Sequence, residues 1–361
     1  MQRLIFHLSC VSFLLLGFAS CQAQTVPRCR AADPLPSKLR HNIAGLSFTR
    51  DGKTLVSAGG DTDIKFWNVA TGEVQRTQSG HTNIVYKAVF SPNEKLIASS
   101  SRDHTVRLWD VATGRELHKF TEMRCSVKAV AFSPNGKMVT AVGNDGMLKI
   151  WDVQSGKEIA SLVHTDSKDV DISNYSVVFS RDGKKIYAGN GDGTISEWDT
   201  ETGKETRNWK AHGDGVFGLI FSPDNRILAS EGNDDFTTKL WDTKTWREIR
   251  TLANPKTEGL LQRIKSIAFS PDGKLIAVSE TGFDTKLNKY AFNRTNVWNV
   301  TTGEKIFTVE GHKSDIDAVV FTPDGRFVVS GSTDGNIKFW DVKTGRETRT
   351  FTAPLIETTG N

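Results

Sequence analysis

Apolar residues in this chain fall in short runs separated by polar turns. Val130-Ala131-Phe132 and Leu96-Ile97-Ala98 are continuous, and Val106-Arg107-Leu108-Trp109 alternates. Runs of four to six residues have the length of β-strands and stop short of the ten or more that a helix needs. Two kinds of turn recur between them. One is Ser133-Pro134-Asn135-Gly136 or Ser270-Pro271-Asp272-Gly273, in which proline presets φ and glycine after Asn or Asp takes the left-handed conformation that closes a hairpin. The other is Thr71-Gly72-Glu73 or Thr113-Gly114-Arg115, with Trp246 in the glycine position of the fifth copy. The pattern predicts antiparallel hairpins in series.

The series has a period. Tryptophans stand at 67, 109, 151, 198, 241, 298 and 340, with gaps of 42, 42, 47, 43, 57 and 42 residues. Each is followed by Asp or by its substitute Asn (Asn68 and Asn299). Upstream of each lies Phe48, Phe90, Phe132, Phe179, Phe221, Phe269 or Phe321, followed by Ser or Thr and the first turn. Each unit therefore predicts a four-stranded antiparallel meander. One such sheet cannot cover both of its faces, so successive sheets must stack.

On these residues, and on Gly80-His81, Gly311-His312 and the partial match Ala211-His212, the chain resembles the WD-repeat β-propeller family over residues 41–352. The resemblance implies an all-β fold, a seven-bladed β-propeller of four-stranded antiparallel blades. It also implies a use for three repeated sets of residues. His81, Ser99 and Asp103 precede Trp109; His212, Ser230 and Asp235 precede Trp241; His312, Ser330 and Asp334 precede Trp340. A catalytic Ser-His-Asp triad would occur once, in a pocket, and not three times at matching offsets. In the family such residues form a hydrogen-bonded chain inside a blade, ending at the indole N–H. No catalytic residue is assigned.

The family also uses the face around its central channel for partners, and the position four before the landmark Phe points there. Here it holds Ala44, Tyr86, Lys128, Tyr175, Phe217, Lys265 and Asp317, and Arg102 should border the same surface. Aromatics with flanking lysines suit a binding hot spot. Blade 6 departs most: its 57-residue spacing predicts an inserted loop near Glu280–Asn296. The units run in phase from Ile43 to Phe351, which predicts that no terminal strand is exchanged between the first and last blades.

Composition narrows function further. Of 361 residues, 46 are Lys or Arg and 42 Asp or Glu, a net charge of +4 without a long basic run, so nucleic-acid binding is not expected. Mean hydropathy of −0.36 excludes a polytopic membrane protein. The turn aspartates six residues before tryptophan lack the spaced ligands and terminal Glu of a calcium loop. No zinc spacing or phosphate-binding glycine loop occurs, so no metal and no cofactor are expected.

Residues 1–21 read as an export signal: Arg3, an uncharged apolar stretch from Leu4 to Phe18, then small residues. Two processing routes fit. Phe18-Ala19-Ser20-Cys21 resembles a lipobox, with Cys21 lipidated; the other is cleavage after Cys21 or Ala23. A lipid there would be the only membrane attachment. Residues 22–40 form a Pro-containing arm, 41–352 the propeller and 353–361 a tail. In an oxidising compartment Cys29 and Cys125 could pair. The expectation is an exported monomer, periplasmic or extracellular, acting as a non-enzymatic scaffold for an unidentified protein or peptide. The alternative is an exported enzyme or small-ligand binder of the lactonase-like or quinoprotein-like kind, whose propellers share Ser-Pro-Asp-Gly turns.

Overall fold

In the computed structural model, described at residues 42–163, 173–233, 235–254 and 256–352, the chain forms seven four-stranded antiparallel sheets. Within each sheet the strands lie side by side in chain order, so each blade is one meander: 43–78, 85–120, 127–163, 174–210, 216–253, 260–310 and 316–352. The described residues contain no helix. The signal, the arm, Cys21, Cys29 and the tail lie outside the described residues. Cys125 does not: it is buried and disulfide-bonded.

The first strand of each blade packs against the first strands of both neighbours, and Ile43–Phe48 of blade 1 meets Ile316–Phe321 of blade 7. These seven strands line a central channel. Seven apolar clusters fill the spaces between adjacent blades. One joins Leu108 and Phe120 of blade 2 to Val139 and Trp151 of blade 3; another joins Phe339 and Phe351 of blade 7 to Leu55 and Trp67 of blade 1. Among the described residues the ring closes on that last cluster, with no strand exchanged between blades 1 and 7. Glu347–Thr352 is the outermost strand of its own blade, Phe351 stacks on Trp67 at 5.8 Å, and Arg349 donates to the Val69 carbonyl.

The turns explain why the period is so regular. In all seven first hairpins, Asp or Asn accepts from the hydroxyl two residues before it at 2.6–2.8 Å. The same oxygen accepts from the backbone N–H two residues after it, as in Lys53 and Lys137. Aspartates following tryptophan do similar work: Asp110 accepts from both the N–H and hydroxyl of Thr113, and Asp152 from those of Ser155. The Trp-Asp pair is thus a core anchor joined to a turn cap. Trp246 adopts φ of 57° in the glycine position of its turn, and its ring packs on Tyr187 and Trp209.

Blade 6 corrects the expectation of an inserted loop. The extra residues are ordered as sheet: Leu260–Phe269, Leu275–Asp284 and Lys289–Asn299 are strands of 10, 10 and 11 residues, against 5 or 6 elsewhere. Continuous pairing from Leu275 opposite Asn299 to Asp284 opposite Lys289 carries the hairpin beyond its neighbours. Thr281, Phe283, Tyr290 and Phe292 suit strands, and a single bulge at Gly282 and Phe283 absorbs the register change.

Candidate functional site

Among the described residues, three blades carry a complete polar chain. In blade 2, Trp109 Nε1 donates to Ser99 Oγ at 2.9 Å, His81 Nε2 lies 2.7 Å from the same oxygen, and His81 Nδ1 lies 2.8 Å from Asp103. An indole only donates and a carboxylate only accepts, which fixes the direction: Trp109 to Ser99, Ser99 to His81 Nε2, His81 Nδ1–H to Asp103. Blade 5 repeats the distances with Trp241, Ser230, His212 and Asp235 (2.8, 2.7 and 2.8 Å), and blade 7 with Trp340, Ser330, His312 and Asp334 (2.8, 2.8 and 3.1 Å). All three serines are fully buried, with oxygens already engaged, so no substrate reaches them. Gly80 before His81 lets the backbone approach the indole: a Cβ there would lie 2.7 Å from the Trp109 ring.

Burial and hydrogen bonding together set the charge in these chains. Burial pulls the His81 pKa below its usual value, against the pull of Asp103, and keeps the ring neutral. Burial pushes Asp103 upward, but hydrogen bonds from His81, Thr105 and the Thr82 N–H outweigh it and hold the carboxyl below its usual range. Asp235 and Asp334, placed likewise, are held down at about 2.

At the end of the ring where the first strands begin, the residues four before each landmark Phe come together around the channel mouth. Tyr175 and Phe217 stack, 4.1 Å between centroids and 10° between planes. Lys128 Nζ lies 4.2 Å over the Tyr86 ring and donates to its hydroxyl at 3.2 Å. Lys265 lies 3.5 Å from Asp315 and 3.4 Å from Asp317. Burial works against the Lys265 ammonium, and the two carboxylates outweigh it and raise its pKa; burial pushes Asp317 upward. Ala44 is buried and offers nothing polar. Arg102 donates its N–H to the carbonyl of Ile84, two residues before Tyr86, which sets it at the same end. Phe217 is 37% exposed.

Beneath the mouth lies a cavity of about 430 Å³ lined by apolar first-strand residues, Tyr175, Phe217, Lys265 and two charged residues that the sequence reading missed, Lys87 and Glu231. Glu231 is on the second strand of blade 5, opposite Gly218, and a Cβ on Gly218 would lie 2.4 Å from its carboxylate. Only glycine leaves it room to run inward. Both were legible in principle, since in a ladder-by-ladder alignment each is the only charged residue of its column. Among the described residues, no group of His, Cys, Asp or Glu could hold a metal ion.

Comparison with known proteins agrees with this architecture. The family described as IFT122 first beta-propeller matches residues 42–279, and the WD domain, G-beta repeat, matches residues 303–341. Periodic tryptophan protein 2 of Arabidopsis thaliana is 31% identical over 99 residues, 27% of this chain and 10% of that protein. Serine-threonine kinase receptor-associated protein of Gallus gallus is 34% identical over 83 residues, 23% of this chain and 21% of that one. Eukaryotic translation initiation factor 3 subunit I of Pyricularia oryzae is 32% identical over 91 residues, 25% of this chain and 24% of that one. The chain spans between a tenth and a quarter of the length of these curated relatives.

Proposed function

The chain belongs to the WD-repeat β-propeller family, and from that premise we propose that it is a non-enzymatic interaction scaffold that holds a protein or peptide on the face around the channel mouth. The observation that carries this reading is the stacked Tyr175–Phe217 pair, an aromatic platform with an exposed ring at the rim of a cavity. Large aromatics held rigid by stacking are the side chains that contribute most at protein interfaces, since little rotamer freedom is lost on binding. Lys128, Arg102, Lys265 and Asp317 supply a polar border. Elsewhere, exposed large apolar residues lie on outermost strands (Leu117, Ile159, Val163, Ile249 and Ile306) and on the long hairpin of blade 6 (Leu261, Leu287 and Tyr290). The relatives lend the same reading: one bears the name of a receptor-associated protein and another that of a subunit of a translation factor.

The setting we propose is outside the cytoplasm, supported by the charged, apolar, small-residue order of residues 1–21 and by the disulfide at Cys125. The test takes the mature chain, cross-linked in its own envelope fraction. With Tyr86, Tyr175 and Phe217 all changed to Ala, partner recovery should fall about tenfold or more, while changes in the Thr-Gly turns should leave it unchanged. Undiminished recovery with the three alanines would overturn the reading. Fractionation and the intact mass of the mature N-terminus report on export and on a lipid at Cys21.

A further inference from the structure

The two charged residues below the rim belong to rings that are otherwise uncharged. At the first-strand position three before the landmark Phe, the seven blades carry Gly45, Lys87, Ala129, Ser176, Gly218, Ser266 and Ala318. Paired with these on the second strands are Ala58, Ser100, Val142, Gly189, Glu231, Ser279 and Gly331. Small residues keep the cavity open; one ammonium and one carboxyl enter it from blades 2 and 5.

Among the described residues, neither group has a hydrogen-bonding partner. Glu231 is fully buried and both its carboxyl oxygens lack a hydrogen bond. That is unusual for a native acid, because a buried polar group left without a hydrogen bond keeps the full penalty of losing water. Glu280, equally buried in blade 6, shows the ordinary solution: its carboxylate accepts from Arg294, Asn296 and Asn254, each at 2.9 Å. The half-buried Lys87 makes no hydrogen bond or ion pair in the described structure, whereas Lys265 is held between two aspartates and Lys128 lies on Tyr86. Burial pulls the Lys87 pKa below its usual value, against Glu231 and Asp317, so an ammonium that lines the same cavity as the stacked aromatic pair gains from an incoming carboxylate.

We propose that the channel mouth recognises an acidic side chain of the protein partner, its carboxylate taken by the Lys87 ammonium and its aliphatic stem laid against Phe217 and Tyr175. This deepens the scaffold reading and rests on it. Glu231 sets the availability of Lys87. The groups near it are Gly218 and Thr238 on its own blade, Lys265 from blade 6 and Lys87 from across the channel, while Asp317 faces Lys87. Burial pushes the Glu231 carboxyl up to about 8, against the pull of Lys87 and Lys265. At neutral pH it is an uncharged acid that leaves Lys87 unclaimed. Above that value it ionises, competes for Lys87 and repels an incoming carboxylate.

The test titrates the full chain with three capped peptides that share a phenylalanine and differ only in a neighbouring glutamate, glutamine or lysine. At about pH 7 the glutamate peptide should bind about tenfold tighter than either other. Lys87→Met should weaken it by about tenfold, and Lys87→Arg, which keeps the charge, by no more than about threefold; melting curves of both variants check that the ring is intact. Raising the pH from about 7 to about 9 should weaken binding to the wild type several-fold and leave Glu231→Gln nearly unaffected. A preference for the lysine peptide, no binding of the glutamate peptide, or Lys87→Met without effect would each overturn the proposal. None of those results touches the scaffold reading, which falls only if the rim aromatics prove dispensable.

Discussion

Blades 2 and 3 stand side by side, share one apolar cluster, and present their tryptophans at equivalent ladder positions, Trp109 opposite Ile97 and Trp151 opposite Val139. The polar interiors differ. Trp109 passes its N–H through Ser99 and His81 to Asp103. In blade 3, Ala141 stands where Ser99 does and Met123 where His81 does, so the fully buried Trp151 keeps an N–H without a partner. Its ring is held instead by Phe120, stacked at 4.7 Å. Since both blades build the same four strands, the polar chain does not make the blade. Apolar burial and the turn caps do that, and the chain adds a fixed geometry on top of them.

The sharpest way to break that comparison is to remove the two equivalent aspartates. Asp103 accepts from His81, from the Thr105 hydroxyl and N–H, and from the Thr82 N–H. Among the described residues, Asp145 accepts from the backbone N–H groups of Arg124 and Met147. Asp103→Ala strands a buried histidine and threonine and should cost about 3 kcal/mol, whereas Asp145→Ala should cost about 1 kcal/mol. Denaturant midpoints with an unchanged m-value measure both. Equal losses would mean that these aspartates act only as turn formers, and that the histidine chain adds nothing.

How much of this could be read from the chain depends on whether a signal repeats. Strands, hairpins, seven units and their closure in phase all rest on features that recur with a fixed offset, so every copy corroborates the others. Blade 6 was misjudged because its extra residues occur once: nothing in a single stretch such as Tyr290–Asn296 distinguishes a long hairpin from a loop. Lys87 and Glu231 were missed for another reason. Read singly they look like ordinary charged residues between apolar ones, and their position in the channel follows from pairing register, which places Glu231 opposite Gly218. The rim residues were found because the family offset named their column. That Tyr175 stacks on Phe217 and that Lys265 is tied to two aspartates depends on curvature that a sequence does not carry.

A smaller effect separates the two blades by pH. Burial keeps the folded His81 pKa below its usual value, while the unfolded chain takes up that proton near 6.5. The associated stability is present above about pH 6.5 and is lost as the pH falls toward the folded value. Met123 of blade 3 has nothing to titrate. Between about pH 7 and about pH 5, the wild type should lose up to about 1 kcal/mol more than His81→Asn, once each is referred to its own neutral value. Parallel profiles would show that His81 is charged in the folded chain.

The most delicate change would turn blade 3 into a copy of blade 2. It already holds Asp145 and Trp151, so Met123→His and Ala141→Ser complete the set. Ala141→Ser alone offers the indole an acceptor, but the new hydroxyl hydrogen faces Met123, which cannot take it, and little or no gain is expected. Met123→His alone buries a ring whose Nε2 meets the Ala141 methyl, at a cost of about 1–2 kcal/mol. Together they let each polar atom answer another: indole to hydroxyl, hydroxyl to imidazole, imidazole to Asp145. The double variant should therefore exceed the sum of the single effects by about 1 kcal/mol in a double-mutant cycle. Simple additivity would place the value of the chain in packing around the tryptophan and would remove cooperative hydrogen bonding as the difference between these two blades.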